Sequence, residues 1–160
     1  MDTYIIKKTE IEAMEGLQKT HFLNENAQRT NKSLGDLTGL TGFGFHIIEV
    51  PPGKSSTEFH VHQYEDECTY VLSGKGQVII GSETHAISEG DFIGYRKAGE
   101  AHTMVNSGSD ILKCIVVGQR LAHDVGDYPN LGKRIYRNDG LPWDVVDHQH
   151  VVNPADAGKK

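Results

Sequence analysis

Two histidines separated by a single residue, His60 and His62, carry the strongest chemical signal in the chain. Alternate side chains of an extended strand share a face, so both imidazoles point the same way. A carboxylate, Glu67, follows five positions after His62 at the head of an alternating run, and His102 is available as a fourth ligand. Imidazole nitrogen and carboxylate oxygen converging on one point predict a mononuclear metal site. Glu65 and Asp66 compete for the carboxylate role. Glu67 is preferred because it lies seven residues before Gly74 and shares a strand face with Thr69 and Val71, while Glu65 and Asp66 are expected in a solvated loop. His148-Gln-His150 repeats the spacing without a following carboxylate and is read as a surface pair.

The elements that must position these groups are short strands. Phe43 to Val50 is β-branched and aromatic and is stopped by Pro51-Pro52-Gly53. Further strand-like runs cover 58–62, 67–72, 77–80, 92–95, 102–106 and 111–117, with turn residues at 73–76, 81–84 and 88–91. Short strands at this spacing define a sandwich or barrel and leave no room for the crossover helices of a parallel α/β sheet. Ahead of them, Thr9 to Glu12 has the form of a capping box, predicting a helix through about Leu17. Residues 24–32 are polar and expected at the surface, and 34–39 read as a turn. After Gln119 the chain is too apolar for a disordered extension, and its only tryptophan, Trp143, is expected to pack on the barrel. The last eight residues, from Asn153, are expected to fray.

Alternation carries a second consequence. With His60, His62, Glu67, Thr69 and Val71 inward, Phe59, Val61, Cys68, Tyr70 and Leu72 point outward, too apolar a face to meet water. The C-terminal residues, a second copy of the chain, or both must cover it, and a homodimer is expected.

Composition bounds the partners. At 160 residues the chain is one domain with 37% hydrophobic and 24% charged residues, and its 18 glycines suit many tight turns. A net charge of −6 argues against nucleic-acid and anionic-membrane partners. No apolar stretch is long enough to span a membrane or serve as a signal peptide. Two cysteines, Cys68 and Cys114, sit in separate strand-like runs and read as reduced core thiols, which predicts a cytoplasmic location.

The ordered pattern Gly53-x6-His60-x-His62-x4-Glu67-x6-Gly74, then Gly90-x6-Lys97-x-Gly99-x2-His102-x3-Asn106, resembles the paired motifs of the cupin superfamily. Three departures stand out: Gly53 leads His-x-His by six residues rather than five, Lys97 takes the place of the usual proline, and the spacing from Gly90 is one residue longer. The resemblance implies an all-β cupin jelly-roll barrel over residues 42–118, with an N-terminal arm (1–41) and a C-terminal extension (119–160). It implies a metal held by His60, His62, Glu67 and His102. That donor set suits one divalent transition metal, Fe, Mn, Ni, Co or Zn, and leaves two positions open on an octahedral ion.

The arm and tail, through Tyr128-Pro129 and Leu141-Pro-Trp143, are also similar to small bacterial cupins described as sugar-phosphate isomerases. Isomerase-type chemistry on a small polar substrate is therefore the leading expectation. An Fe(II) dioxygenase and a non-catalytic metal or small-ligand binding protein are the alternatives. Lys54, Arg96 and Lys97, with Tyr64 as a hydroxyl donor, are the candidate substrate contacts because they flank the motifs. No Ser or Cys stands with a partner base, so a covalent nucleophile is not expected.

Overall fold

A computed structural model describes residues 3–156. The chain opens with α1 (Lys8–Ala13), β1 (Leu17–His21), β2 (Asn24–Ser33), α2 (Leu34–Leu37) and β3 (Phe43–Val50). It continues with β4 (Val61–His62), β5 (Glu67–Ser73), β6 (Lys75–Ile80), β7 (Glu83–Ser88), β8 (Phe92–Tyr95), β9 (His102–Val105) and β10 (Leu112–Gln119). The C-terminal extension forms β11 (His123–Tyr128), β12 (Lys133–Asn138) and β13 (Asp144–Asp147).

One antiparallel sheet runs in the order β1-β2-β3-β10-β5-β8. Two smaller sheets, β7-β6-β9 and β13-β12-β11-β4, are joined by the bridge between His60 and His102. This is the all-β arrangement of a jelly roll. Between the layers lies a core of Ile48, Val50, Val71, Val78, Ile87, Ile93, Tyr95, Met104, Leu112 and Cys114. Thr69 and Val71 are fully buried, as alternation from Glu67 requires. The inward row of β3 runs from Gly44 and His46 to Ile48 and Val50, and β10 matches it with Gly118, Val116, Cys114 and Leu112. The interior is therefore apolar at one end and polar at the other. Gly74 closes the β5–β6 turn at φ +90°, and a side chain there would come within 2.5 Å of the Ile111 carbonyl oxygen. Only glycine satisfies both demands.

The arm departs from its expectation. The helix begins earlier and is capped differently: the Lys7 N–H donates to Glu10 Oε2 at 2.7 Å, so the box expected at Thr9 and Glu12 is displaced. Residues 24–32 are not a surface stretch but belong to β2, where Ala27, Asn31 and Lys32 are buried. Their polarity hides a strand because its inward side faces the polar end of the barrel. Residues 34–37 form a single helical turn, α2, within the expected 34–39 turn.

The tail adds a three-stranded layer that docks through β4, with Asp127 opposite Val61 and Gly126 opposite His62. Val61 is thereby buried, while Tyr70 and its cross-strand neighbour Phe92 stay 44% and 68% exposed. Trp143 does not pack on the barrel: it is 64% exposed, with the Arg137 guanidinium 5.5 Å from its ring centre. Residues 154–156 form a short 3₁₀ turn, and the expected fraying beyond them falls outside the described residues. Cys68 and Cys114 are both free thiols. No described helix is long and apolar enough to cross a membrane.

Candidate metal centre

His60 and His62 reach the interior from the chain that links β3 to β5, Glu67 from the first residue of β5, and His102 from the first residue of β9. Ligand atoms of His60, Glu67 and His102 all lie within 4.8 Å of one another. His62 stands next to this group, its Nε2 3.2 Å from His60 Nε2, and one of its ring nitrogens also lies within 4.8 Å of carboxylate oxygens of Glu65 and Asp124. His102 Nε2 is 3.6 Å from Glu67 Oε1. Two nitrogens about 2.1 Å from one ion and at a right angle lie roughly 3.0 Å apart, so the imidazole spacing fits a shared cation.

Supporting contacts set the tautomers. The His60 Nδ1–H donates to the Glu58 carbonyl at 2.8 Å, and the His62 Nδ1–H donates to Asp124 Oδ2 at 2.5 Å. A carbonyl can only accept, so the neutral His60 ring presents an Nε2 lone pair to the centre; the carboxylate fixes the Nδ1 proton of His62 and turns its Nε2 the same way. Burial pushes the His60 pKa down to about 3 against the pull of Glu67, which keeps that ring neutral. For His62, burial is outweighed by Asp124, Glu67 and Glu65, and its pKa is raised. Burial would raise Glu67, but His102, His60 and His62 together hold it below the usual carboxylate range. His102 lies flat on Tyr95, with ring centres 3.7 Å apart and planes at 6°, and both of its nitrogens are buried without a hydrogen-bond partner among the described residues.

Asp124 was not anticipated. It sits in β11, 62 residues from the histidine it supports, and nothing in the local sequence marks it. Its other oxygen accepts the Tyr64 N–H at 3.2 Å, so one carboxylate ties the tail to the metal-motif loop. Carboxylates in this position typically contribute 10–100-fold to metal affinity. Asp124→Asn should therefore weaken binding about 10–100-fold without abolishing it, as read by competition against a chelator. Affinity equal to that of the unmodified protein would show that the contact does not support the site.

Glu65 also departs from its expectation. Rather than standing solvated in a loop, it is 4% exposed, and Oε1 accepts from the Leu121 N–H and the Arg137 guanidinium. Asp66 does stay exposed, and its side chain accepts the Lys97 N–H at 2.8 Å.

Beside His62 and Glu67 opens a cavity of about 150 Å³, lined also by Gly44, His46, Glu65, Gly118, Arg120 and Arg137. None of the expected substrate contacts lines it. Lys54 lies elsewhere, with Nζ 3.4 Å from Asn26 Oδ1. Arg96 and Lys97 occupy the β8–β9 turn with exposed side chains, and Tyr64 is 55% exposed. The cations on the wall are instead Arg120 and Arg137, which the sequence places in the tail far from either motif. His46 had a readable signal: it shares the inward face of β3 with Ile48 and Val50. His148 and His150 form an exposed 3₁₀ turn, in keeping with a surface pair.

These features define an all-β jelly roll with a histidine- and carboxylate-rich interior, and comparison with known proteins agrees. The cupin domain family matches residues 46–118. A protein from Acidithiobacillus ferrooxidans, provisionally named a sugar phosphate isomerase, is 47% identical with a TM-score of 0.90, over 94% of this chain and 96% of its own. A sugar phosphate isomerase of the cupin superfamily from Silicibacter pomeroyi is 22% identical with a TM-score of 0.79, over 91% of this chain and 95% of its own. A Thermotoga maritima protein provisionally named an oxalate decarboxylase is 26% identical with a TM-score of 0.50, over 59% of this chain and 80% of its own. No curated protein matches the sequence. The chain belongs to the cupin superfamily.

Proposed function

We propose that the protein is a metal-dependent isomerase acting on a sugar or sugar phosphate, with one divalent transition ion held by His60, His62, Glu67 and His102. The observation that carries the metal is the facing pair of imidazoles. With both Nδ1 protons committed to other acceptors, the two Nε2 atoms face each other at 3.2 Å, each the remaining nitrogen its ring can offer to a cation. A cation held there would take both nitrogens, and one of the two buried, unpartnered nitrogens of His102 would gain a partner by the same event. The substrate class is taken from the likeness to the A. ferrooxidans protein across nearly the whole chain.

When bound, the ion supplies Lewis acidity to a substrate carbonyl or enediolate oxygen. The chain's own residues supply orientation and proton handling. Glu58 and Asp124 fix the His60 and His62 rings. Tyr95 packs against His102 and keeps water from that side. Glu65, with Oε1 held by Leu121 and Arg137, is the carboxylate on the cavity wall that could move a proton between neighbouring carbons.

Elemental analysis of the purified protein, followed by anaerobic turnover of aldose and ketose phosphates, tests this reading. About one equivalent of metal and interconversion of an aldose–ketose pair are expected. Oxygen consumption with iron bound would replace the isomerase by the dioxygenase, and metal binding without turnover of either kind would leave a binding protein. We also read the exposed Tyr70 and Phe92 pair as part of a homodimer contact, which light scattering at high protein concentration checks, and the free thiols as those of a cytoplasmic protein.

A further inference from the structure

The floor of the cavity is made of two glycines. Gly118 in β10 stands opposite Gly44 in β3 on one side and opposite Glu67 in β5 on the other. A methyl group on Gly118 would lie 3.4 Å from Glu67 Oε2, so this glycine keeps the approach to the metal carboxylate clear. A methyl group on Gly44 would lie 2.7 Å from His46 Nε2 and 3.3 Å from both Nε and Nη2 of Arg120. The missing side chain lets three N–H-bearing nitrogens of two residues gather over one spot on the cavity wall.

Their orientation is held from outside the cavity. Asp36 accepts from Arg120 Nη1 at 2.5 Å and from the Ser33 hydroxyl at 2.5 Å, which leaves the Nε–Nη2 edge of the guanidinium turned toward Gly44. The Asn31 amide donates to His46 Nδ1 at 3.3 Å, so the ring proton belongs on Nε2 and His46 acts as a donor there. The neighbouring carboxylates are engaged elsewhere. Glu65 accepts from Arg137 and the Leu121 N–H, Asp66 accepts from the Lys97 N–H, and Glu67 belongs to the metal set. His46 and Arg120 also line an adjoining cavity of about 570 Å³ bordered by Lys19 and Lys32, so the spot lies between the outer space and the metal.

We propose that Gly44, His46 and Arg120 form a seat for the oxyanion of the substrate, a phosphate monoester or a carboxylate. The guanidinium edge offers two parallel N–H groups and the imidazole a third, the pattern that recognises such groups. Gly44 is two strand positions from Glu67, roughly 10 Å between Cα atoms. A short carbon chain spans the distance left between the side chains, with its reacting end at the metal and its anion over Gly44. This deepens the isomerase reading and rests on it for the orientation of the substrate.

The test uses inorganic phosphate and acetate as probes, titrated into the isotopically labelled full chain and followed by the backbone amides, with metal content measured on every sample. Phosphate, acetate or both should shift the amides around residues 44–46 and 118–120. Arg120→Gln and Gly44→Ala should each weaken that binding about tenfold or more, the loss of one charge-assisted contact, while metal content is unchanged. Gly44 does not have a positive φ, so alanine fits its backbone, and its methyl group acts by filling the seat and pushing the His46 ring aside. Should Gly44→Ala unfold, Arg120→Gln decides alone. Preference for phosphate or for acetate assigns the class of anion. No binding of either, or equal binding by Arg120→Gln, overturns the seat. A chain without metal that still binds phosphate through Arg120 removes the metal reading and keeps the seat. A metal-loaded chain indifferent to Arg120 removes the seat alone.

Discussion

Replacing His60 by alanine should bring bound metal from about one equivalent per chain to near none, whichever divalent ion is offered. In the proposed centre His60 is one of four donors, and its loss should exceed the 10–100-fold that a supporting carboxylate contributes. Because an ion that binds only the folded chain stabilises it, at one hundred times its dissociation constant it should add about 2.7 kcal/mol to the wild-type protein. The corresponding rise in melting temperature on metal addition should vanish in His60→Ala. His148→Ala is the control, since His148 repeats the His-x-His spacing on the exposed surface and should keep full metal content. Retention of a full equivalent by His60→Ala would dismiss the four-ligand centre.

The second large effect concerns stability. Asn106 is fully buried, and its amide nitrogen donates to the Val50 carbonyl at 2.7 Å and the Asp110 carbonyl at 2.8 Å. Its side-chain oxygen accepts the Gly108 N–H at 3.0 Å. One side chain thus satisfies three backbone groups where β3, the end of β9 and the turn before β10 meet. Its main chain also holds Gly53 and Lys54, with both hydrogen bonds at 2.9 Å, and so anchors the segment that leads to His60. Asn106→Ala would strand those three groups and leave a void, costing about 3–5 kcal/mol. That is a large share of the roughly 5–15 kcal/mol that holds a domain together. Asn106→Asp should be no better, because a carboxylate oxygen would then face two carbonyls. Urea unfolding measures both, and a loss below about 1 kcal/mol for alanine would refute the bridging role.

Asn106 also illustrates how far local pattern reaches. It stands in the second motif four residues after His102, and the motif marks it without saying why. The reason is a junction of three chain segments that come together only in the folded barrel. The same holds for the glycine spacing: Gly53 leads His60 by six residues, yet both imidazoles still reach the centre, because the linking segment is mostly irregular and pairs with β9 at only two isolated bridges, Ser55 with Val105 and His60 with His102. Slack in a segment without a continuous ladder absorbs one extra residue, whereas a slip within a regular ladder would turn every side chain to the other face.

Periodicity and turn chemistry are local properties, and from them the sequence determined most strands of the barrel, though not β2 or β7, its all-β class and the inward direction of His60, His62, Glu67, Thr69 and Val71. What tertiary structure decided are the partners those residues meet. Asp124 beneath His62, Arg137 against Glu65 and Arg120 over Gly44 come from β11, β12 and the residue just after β10, segments with no chemical pattern of their own. A charged residue on a surface strand and one that locks a buried ligand look alike until the strand docks. Burial, which separates the two roles electrostatically, belongs to the folded chain alone.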